Sequence, residues 1–221
     1  MRSFNSAGWL ALLALISIVS SYPRLPLRTG VDTRESFDEY ITQVKDKDIL
    51  DKRLISSTCK GLNISLSQIA TQANKLCDAA ISSIKSKDDT EVKRFVHFFG
   101  PLNDNDNARD LISYRYNLIK ETLFSLTLNL VCLPTQIKDG RPGVIADVES
   151  AGQGSQATVR LFKGWFDLPD TDTCGPGLSK ASVLVHESSH VFGATDRGPD
   201  QANDAYQYGD FSASAFGKCT F

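Results

Sequence analysis

The hydrophobic residues in the first half of this 221-residue chain recur at helical spacing. A first helix is predicted from about Ser65 to Ser86, because apolar residues there follow one another at intervals of three and four and form one stripe. A second is predicted from Val92 to Phe99, and a third from Ala108 to about Leu130. The stripe of the first helix consists of Ile69, Ala73, Leu76, Ala80 and Ile84, and that of the third of Leu111, Ile119, Leu123, Leu126 and Leu130.

The pattern changes after Cys132, where the hydrophobic runs become short. Val144-Ile145-Ala146 and the run from Thr158 to Phe162 are typical of strands, and a Gly- and Ser-rich segment separates them. A further helix is predicted after Ser179, a residue type that often caps a helix N-terminus. This order of elements predicts an α+β fold, with a helical N-terminal part, a small β-sheet and then a helix that carries the chemistry described next.

That last helix contains the sequence His186-Glu187-Ser188-Ser189-His190, an H-E-x-x-H motif. Residues four apart lie on the same face of a helix, so both imidazoles can offer a ring nitrogen to one Zn²⁺ ion. Glu187 lies beside that face, where it can accept a proton from a metal-bound water. A structural zinc site would need four protein ligands and no adjacent carboxylate, so the motif predicts a catalytic zinc site. The third histidine, His97, lies in an aromatic stretch and is predicted to be a packed or surface side chain.

A catalytic zinc site also needs a third protein ligand and an open position. No histidine or glutamate follows His190, so the ligands of the commoner classes of zinc peptidase are absent from this part of the sequence. The candidates that remain are aspartates. They are Asp196, Asp200, Asp204 and Asp210.

The N-terminus has the pattern of a secretory signal peptide, predicted to span residues 1–21. Arg2 precedes an apolar run from Gly8 to Val19, and small residues follow at Ser20 and Ser21. The run is too short to span a membrane comfortably, so cleavage is expected and the mature protein is predicted to be extracellular and free of the membrane. Residues 22–57 are predicted to be a linker or short pro-segment.

The charge and cysteine content narrow the possible partners. The near balance of 24 basic and 26 acidic residues argues against nucleic acid or a polybasic membrane surface as a partner. A monomer is expected, and the peptidase-type zinc motif makes a protein or peptide its expected substrate. Five cysteines in a secreted chain allow at most two intrachain disulfides and leave one thiol over.

The sequence resembles the aspzincin, or deuterolysin-like, zinc metalloendopeptidases, whose third zinc ligand is an aspartate in a G-T-x-D-x-x-Y-G motif. The resemblance covers roughly Thr58 to Phe211 and implies that residues 58–221 are a metallopeptidase domain. The matching segments are Phe98-Phe99-Gly100, the long helix with Arg109 and Tyr116, Cys132, the run from Val159 to Pro169, and the H-E-x-x-H motif.

The aspartate motif is interrupted in this chain. Gly193-Ala194-Thr195-Asp196 resembles its first half and Tyr208-Gly209 resembles its end, but eleven residues from Arg197 to Gln207 lie between them where the family has two. Interpreted as an insertion, the resemblance implies that Asp196 is the third ligand and Tyr208 the tyrosine that stabilises the transition state. The alternative alignment makes Asp204 the ligand, with Tyr206 or Tyr208 just downstream.

The resemblance also implies a disulfide between Cys59 and Cys132. That pairing leaves Cys174 and Cys219 as a second bridge and Cys77 as a buried free thiol. Selectivity for lysine occurs in part of the family, and the acidic residues that could provide it here are Asp204 and Asp210.

The activity that the resemblance implies is that of a secreted zinc metalloendopeptidase. The chain ends at Phe221, where members of the family usually continue through another helix. This short C-terminus and the interrupted aspartate motif favour one alternative, a secreted zinc-binding protein that has lost catalysis and acts by interaction. A helical adhesin with a structural metal site is a further alternative, which the shortage of additional Cys and His ligands disfavours.

Overall fold

The computed structural model describes residues 57–124, 128–149, 157–170, 178–198 and 200–219. The predicted signal peptide and nearly all of the predicted linker lie outside these residues. The first long helix, α1, is Leu66–Lys85, and its N-cap Ser65 accepts a hydrogen bond from the backbone amide of Gln68. Every residue of its predicted apolar stripe is buried, which confirms the helical periodicity.

Helix α2 is Asp89–Phe99 and begins three residues before the predicted start. Asp88 caps it by accepting a hydrogen bond from the backbone amide of Thr90 at 2.9 Å. The predicted start is late because it is taken from the spacing of apolar residues, and the cap is polar. The helix ends at Gly100, which has a positive φ of 79° and therefore a backbone conformation that favours glycine.

The third predicted helix is correct in its first part and wrong in its last. Helix α3 is Asp106–Phe124, and its buried face consists of Ile112, Tyr116, Ile119 and Leu123. Leu111, which was assigned to that face, is 47% exposed. Leu130, the last residue assigned to it, instead belongs to strand β1, Leu128–Leu133, in which every second residue is buried, and Leu126 lies outside the described residues.

The sheet is small and mixed. Strand β2 is Ala146–Glu149 and strand β3 is Ala157–Phe162, and the strand order is β1-β3-β2. Strand β3 pairs parallel with β1 and antiparallel with β2, so β2 forms one edge of this three-stranded sheet. The prediction for β3 is confirmed to within one residue, whereas β2 begins only at Ala146, the last residue of the predicted strand.

Among the described residues, three α-helices follow the sheet. They are the short α4, Lys163–Phe166, then α5, Lys180–His190, and α6, Ala205–Gly217. Ser179 is the N-cap of helix α5 as predicted, and it forms a reciprocal capping box with Ser182. The fully buried indole of Trp165 in α4 donates a hydrogen bond to the carbonyl of Lys180 at 3.3 Å, which attaches the start of α5 to the end of the sheet.

The cysteines agree with the expectations where they are described. Cys59 and Cys132 form a disulfide, and Cys77 is free and buried. Cys219 is disulfide-bonded, but its expected partner Cys174 lies outside the described residues, so that pairing stays a prediction.

The described helices include none that combines the length and the apolar character needed to cross a membrane. The α+β class is confirmed.

Candidate metal centre

Helix α5 brings the two histidines of the H-E-x-x-H motif together. The Nε2 atoms of His186 and His190 are 3.3 Å apart, and their side chains keep only 13% and 20% of their surface exposed. The rest of the helix is largely buried, so its rotation is set by packing and both rings face the same cleft. The i,i+4 prediction of a shared face is confirmed.

A backbone carbonyl orients the ring of His190. The Nδ1 atom of His190 lies 2.8 Å from the carbonyl oxygen of Ala194, and because a carbonyl only accepts, Nδ1 carries the proton and Nε2 keeps its lone pair. Burial, and next the neighbouring His190, lowers the pKa of His186 to about 4, so this ring is neutral at physiological pH, the form that binds metals.

Asp196 completes a triangle of potential ligand atoms. The chain turns after α5 at Gly193, whose φ is 95°, and returns so that Oδ1 of Asp196 lies 3.1 Å from Nε2 of His186 and 3.5 Å from Nε2 of His190. In a tetrahedral zinc site with bonds of about 2.0–2.1 Å, neighbouring ligand atoms are separated by roughly 3.3 Å. The three observed separations lie within a few tenths of this value, so these side chains fit a zinc ion.

Glu187 lies beside this triangle. Its carboxylate oxygens are 4.0 Å from the Nε2 atoms of both His186 and His190, farther than the oxygen of Asp196 is from either. Burial of the side chain is the main cause that raises the pKa of Glu187 to about 8, and the charge of Asp196 is the second. The charge of Lys138 lowers this pKa. Glu187 is close enough to join the histidines around a metal ion, but Asp196 has the better ligand spacing.

Asp204 has a different position from Asp196. Its carboxylate accepts a hydrogen bond from the backbone amide of Tyr206 at 3.0 Å and caps the N-terminus of α6. Its backbone pairs with Thr195, just before Asp196. The geometry therefore favours Asp196 over Asp204 as the third ligand.

The structure does not bring Tyr208 to the metal centre, and the role expected for it does not fit its position. Tyr208 is fully buried, its hydroxyl donates to the carbonyl of Ala202 at 2.8 Å, and it accepts a hydrogen bond from Arg115 at 3.0 Å. Tyr206 takes the place facing the site, with its ring centroid 4.6 Å from that of His186. Residues two apart on a helix point in nearly opposite directions, so only one of the two tyrosines can face the metal centre.

Helix α6 lies very close to α5. A Cβ atom added at Gly209 would lie 3.1 Å from the carbonyl oxygen of Ser182 and 3.4 Å from Cβ of His186. The glycine therefore allows the backbone of α6 to pass directly behind the first histidine. Sequence reasoning identified Gly209 only as part of a motif and did not predict that α6 exists.

The candidate metal centre lies in a cleft of about 470 Å³. One wall consists of β2 and the residues just before it, and the opposite wall consists of α5 and α6. Asp210 lines this cleft and Asp204 does not, so of the two acidic residues considered for lysine selectivity only Asp210 is in place. His97 lies on α2 with its ring against Phe98, outside the cleft, as predicted.

Comparison with known proteins shows a likeness in fold and none in sequence family. No protein-family model matches the chain, and no curated protein matches it in sequence. Among solved structures, a zinc peptidase from Grifola frondosa is similar, with a TM-score of 0.50 and 22% sequence identity over 66% of this chain and 90% of the peptidase. This chain therefore shares its fold with a zinc peptidase, in agreement with the resemblance found in the sequence.

Proposed function

We propose that this protein is a secreted zinc metalloendopeptidase. The observation that carries the proposal is the triangle formed by Nε2 of His186, Nε2 of His190 and Oδ1 of Asp196, with separations of 3.1–3.5 Å. A buried carboxylate beside this triangle is what a hydrolytic site needs and what a purely structural metal site does not need.

In this proposal His186, His190 and Asp196 hold one zinc ion. Zinc in such a site lowers the pKa of water that it binds and polarises a carbonyl group. Glu187 accepts a proton from the attacking water and later transfers it to the leaving amine.

Tyr206 is the proposed donor to the developing oxyanion. Its ring packs at 4.6 Å from His186 and its side chain lines the cleft, where a hydroxyl can reach a substrate carbonyl held at the metal centre. Its pKa is raised, with burial as the largest cause, so the phenol keeps its proton and can donate a hydrogen bond. Tyr208 is left with a structural role.

The cleft suits an extended peptide. Strand β2 is an edge strand that lines the cleft, and an edge strand can pair with an added chain through its free backbone groups. The substrate class proposed is therefore a peptide segment of another protein, bound along β2 with its scissile bond at Glu187. The Cys59–Cys132 disulfide supports an extracellular location, because such bonds persist outside reducing compartments.

Cleavage of denatured casein tests the proposal. The secreted, zinc-loaded protein should cleave casein, a chelator should stop the reaction, and added zinc should restore it. Glu187→Gln is the matched control, since the amide keeps the shape of the side chain and removes the base. If the wild type binds one zinc ion and cleaves no substrate, the protein is instead the non-catalytic zinc-binding protein considered from the sequence.

A further inference from the structure

Residues 197–204, of which the structure describes all but residue 199, make up most of the interruption of the aspartate motif and form a loop between two residues of the proposed metal centre. Asp196 lies before the loop and Tyr206 lies after it. The backbone amide of Thr195 donates to the carbonyl of Asn203 at 2.9 Å, and the amide of Ala205 donates to the carbonyl of Thr195 at 3.1 Å. These two bonds hold the ends of the loop together, so its placement affects both site residues.

A single arginine from a distant part of the chain contacts the end of this loop. Arg115, in α3, donates to the carbonyl of Ala202, to Oδ1 of Asn203 at 2.9 Å and to the hydroxyl of Tyr208 at 3.0 Å. The first two acceptors belong to the loop and the third belongs to α6. The planar guanidinium group presents its donors in a fixed arrangement. By bonding all three acceptors at once, it can hold the loop in one position relative to α6.

Tyr208 is part of the same anchor. Its hydroxyl donates to the carbonyl of Ala202 at 2.8 Å, while its own carbonyl accepts a hydrogen bond from the hydroxyl of Tyr116 at 2.8 Å. Within the loop, Asp200 accepts hydrogen bonds from the backbone amide and the side-chain amide of Asn203, at 3.0 and 2.6 Å. The end of the loop is therefore held by hydrogen bonds within the loop and by hydrogen bonds to α3.

We propose that Arg115 is a positioning residue for the metal centre, which fixes the inserted loop and thereby holds Asp196 and Tyr206 against His186. This inference rests on the proposed zinc site. Its physical basis is that a loop carboxylate binds a metal tightly only if it is already held near the other ligands. Arg115 contacts neither the ligand atoms nor the cleft, so it acts through the loop and through Tyr208 of α6.

Zinc affinity of Arg115→Lys and Arg115→Met, measured by competition with a chelator, tests this role. Residues outside the ligand set that orient a metal site typically contribute roughly 10–100-fold to metal affinity, and a loss in this range is expected for Arg115→Met. Arg115→Lys should lose part of that affinity, because it keeps the charge but cannot bond three acceptors at once. Arg94→Met is the matched control, since Arg94 is a buried arginine that likewise donates to a backbone carbonyl, that of Cys219 at 2.9 Å.

Amide hydrogen exchange in the zinc-free protein provides a second measurement that does not depend on the metal. The amides of Thr195 and Ala205, which close the loop, should exchange faster in both Arg115 variants and at the wild-type rate in Arg94→Met. The control should lower thermal stability without lowering zinc affinity, whereas the Arg115 variants should lower both.

The outcomes separate this inference from the proposed function. If the Arg115 variants bind zinc as tightly as the wild type and the two amides exchange at the wild-type rate, the positioning role is wrong and the zinc site stands. If the wild type binds no zinc, the proposed function is wrong, and the exchange rates alone decide whether Arg115 fixes the loop.

Discussion

Oδ1 of Asp196 lies 3.1 Å from Nε2 of His186, whereas the carboxylate of Asp204 accepts a hydrogen bond from the amide of Tyr206 at 3.0 Å. Two aspartates that compete for one role in the sequence therefore have separate roles in the fold. One faces the histidines, and the other begins a helix.

Substitution of the two aspartates should separate these roles. Asp196→Ala is expected to weaken zinc binding severely and abolish cleavage, because it removes a ligand and a negative charge. Asp204→Ala should keep the zinc and lower the free energy of unfolding by about 1 kcal/mol through loss of the helix cap. Zinc titration and thermal unfolding of the two variants measure both effects. Asp204→Asn, which retains a capping side chain, is the control, and loss of zinc from it would contradict the assignment of Asp196.

Glu187→Gln should retain zinc and lose at least about 100-fold in turnover, as expected when a general base is removed. His186→Ala and His190→Ala should lose the zinc itself. Elemental analysis together with casein cleavage distinguishes the two classes of variant. Unchanged cleavage by Glu187→Gln would contradict the mechanism, and zinc retained by both folded histidine variants would place the site elsewhere.

The two tyrosines should respond differently to loss of the hydroxyl. Tyr206→Phe is expected to lower kcat by roughly 100–1,000-fold with zinc still bound, the usual effect of removing a donor to an oxyanion. Tyr208→Phe removes the hydroxyl that bonds Arg115 and the carbonyl of Ala202. It should lower the free energy of unfolding by about 1–3 kcal/mol, because these buried partners lose a hydrogen bond. Its kcat at saturating zinc should stay near that of the wild type. A larger loss of kcat in Tyr208→Phe than in Tyr206→Phe would restore the motif-based assignment.

Gly209→Ala should destabilise the protein and weaken zinc binding together. The new methyl group would lie 3.1 Å from the carbonyl oxygen of Ser182, and that backbone can yield only if α5 moves with His186. Overpacking of this kind costs about 1–3 kcal/mol, against a gain of about 1 kcal/mol in helix propensity. Chemical unfolding and zinc titration provide the measurement. Gly143→Ala is the control for unfolding, because its added Cβ would contact nothing within 4 Å.

The zinc-free protein should lose stability between pH 6.5 and 8. Burial and Asp196 raise the pKa of Glu187 from 4.5 to about 8, so in this range the folded state binds more protons than the unfolded chain does. Stability then falls as pH rises, by at most about 1.4 kcal/mol per pH unit for one proton. His186, with its pKa lowered to about 4, acts in the opposite direction but only below pH 6.5.

Chemical unfolding at several pH values, with chelator present, measures this dependence. Glu187→Gln should be less sensitive to pH across this window, whereas Glu149→Gln, which alters an exposed carboxylate, should behave as the wild type does. An equal slope in wild type and Glu187→Gln would contradict the raised pKa.

The features that the sequence determined by itself are local. The two histidines share a face because residues four apart on any α-helix do so, and Ser179 caps α5 because its hydroxyl reaches an amide three residues away. The apolar stripe of α1 is equally local. The H-E-x-x-H pair and its helix could therefore be predicted before any long-range contact was known.

Only the tertiary structure decided the rest of the candidate site. Leu128–Leu133 has a hydrophobic pattern that suits the end of a helix, and it becomes a strand because β3 is available to pair with it. The choice between Asp196 and Asp204, and between Tyr206 and Tyr208, depends on where α6 crosses α5 at Gly209 and where Arg115 holds the inserted loop. These positions arise from contacts between residues far apart in the chain, so neither motif spacing nor hydrophobic periodicity encodes them.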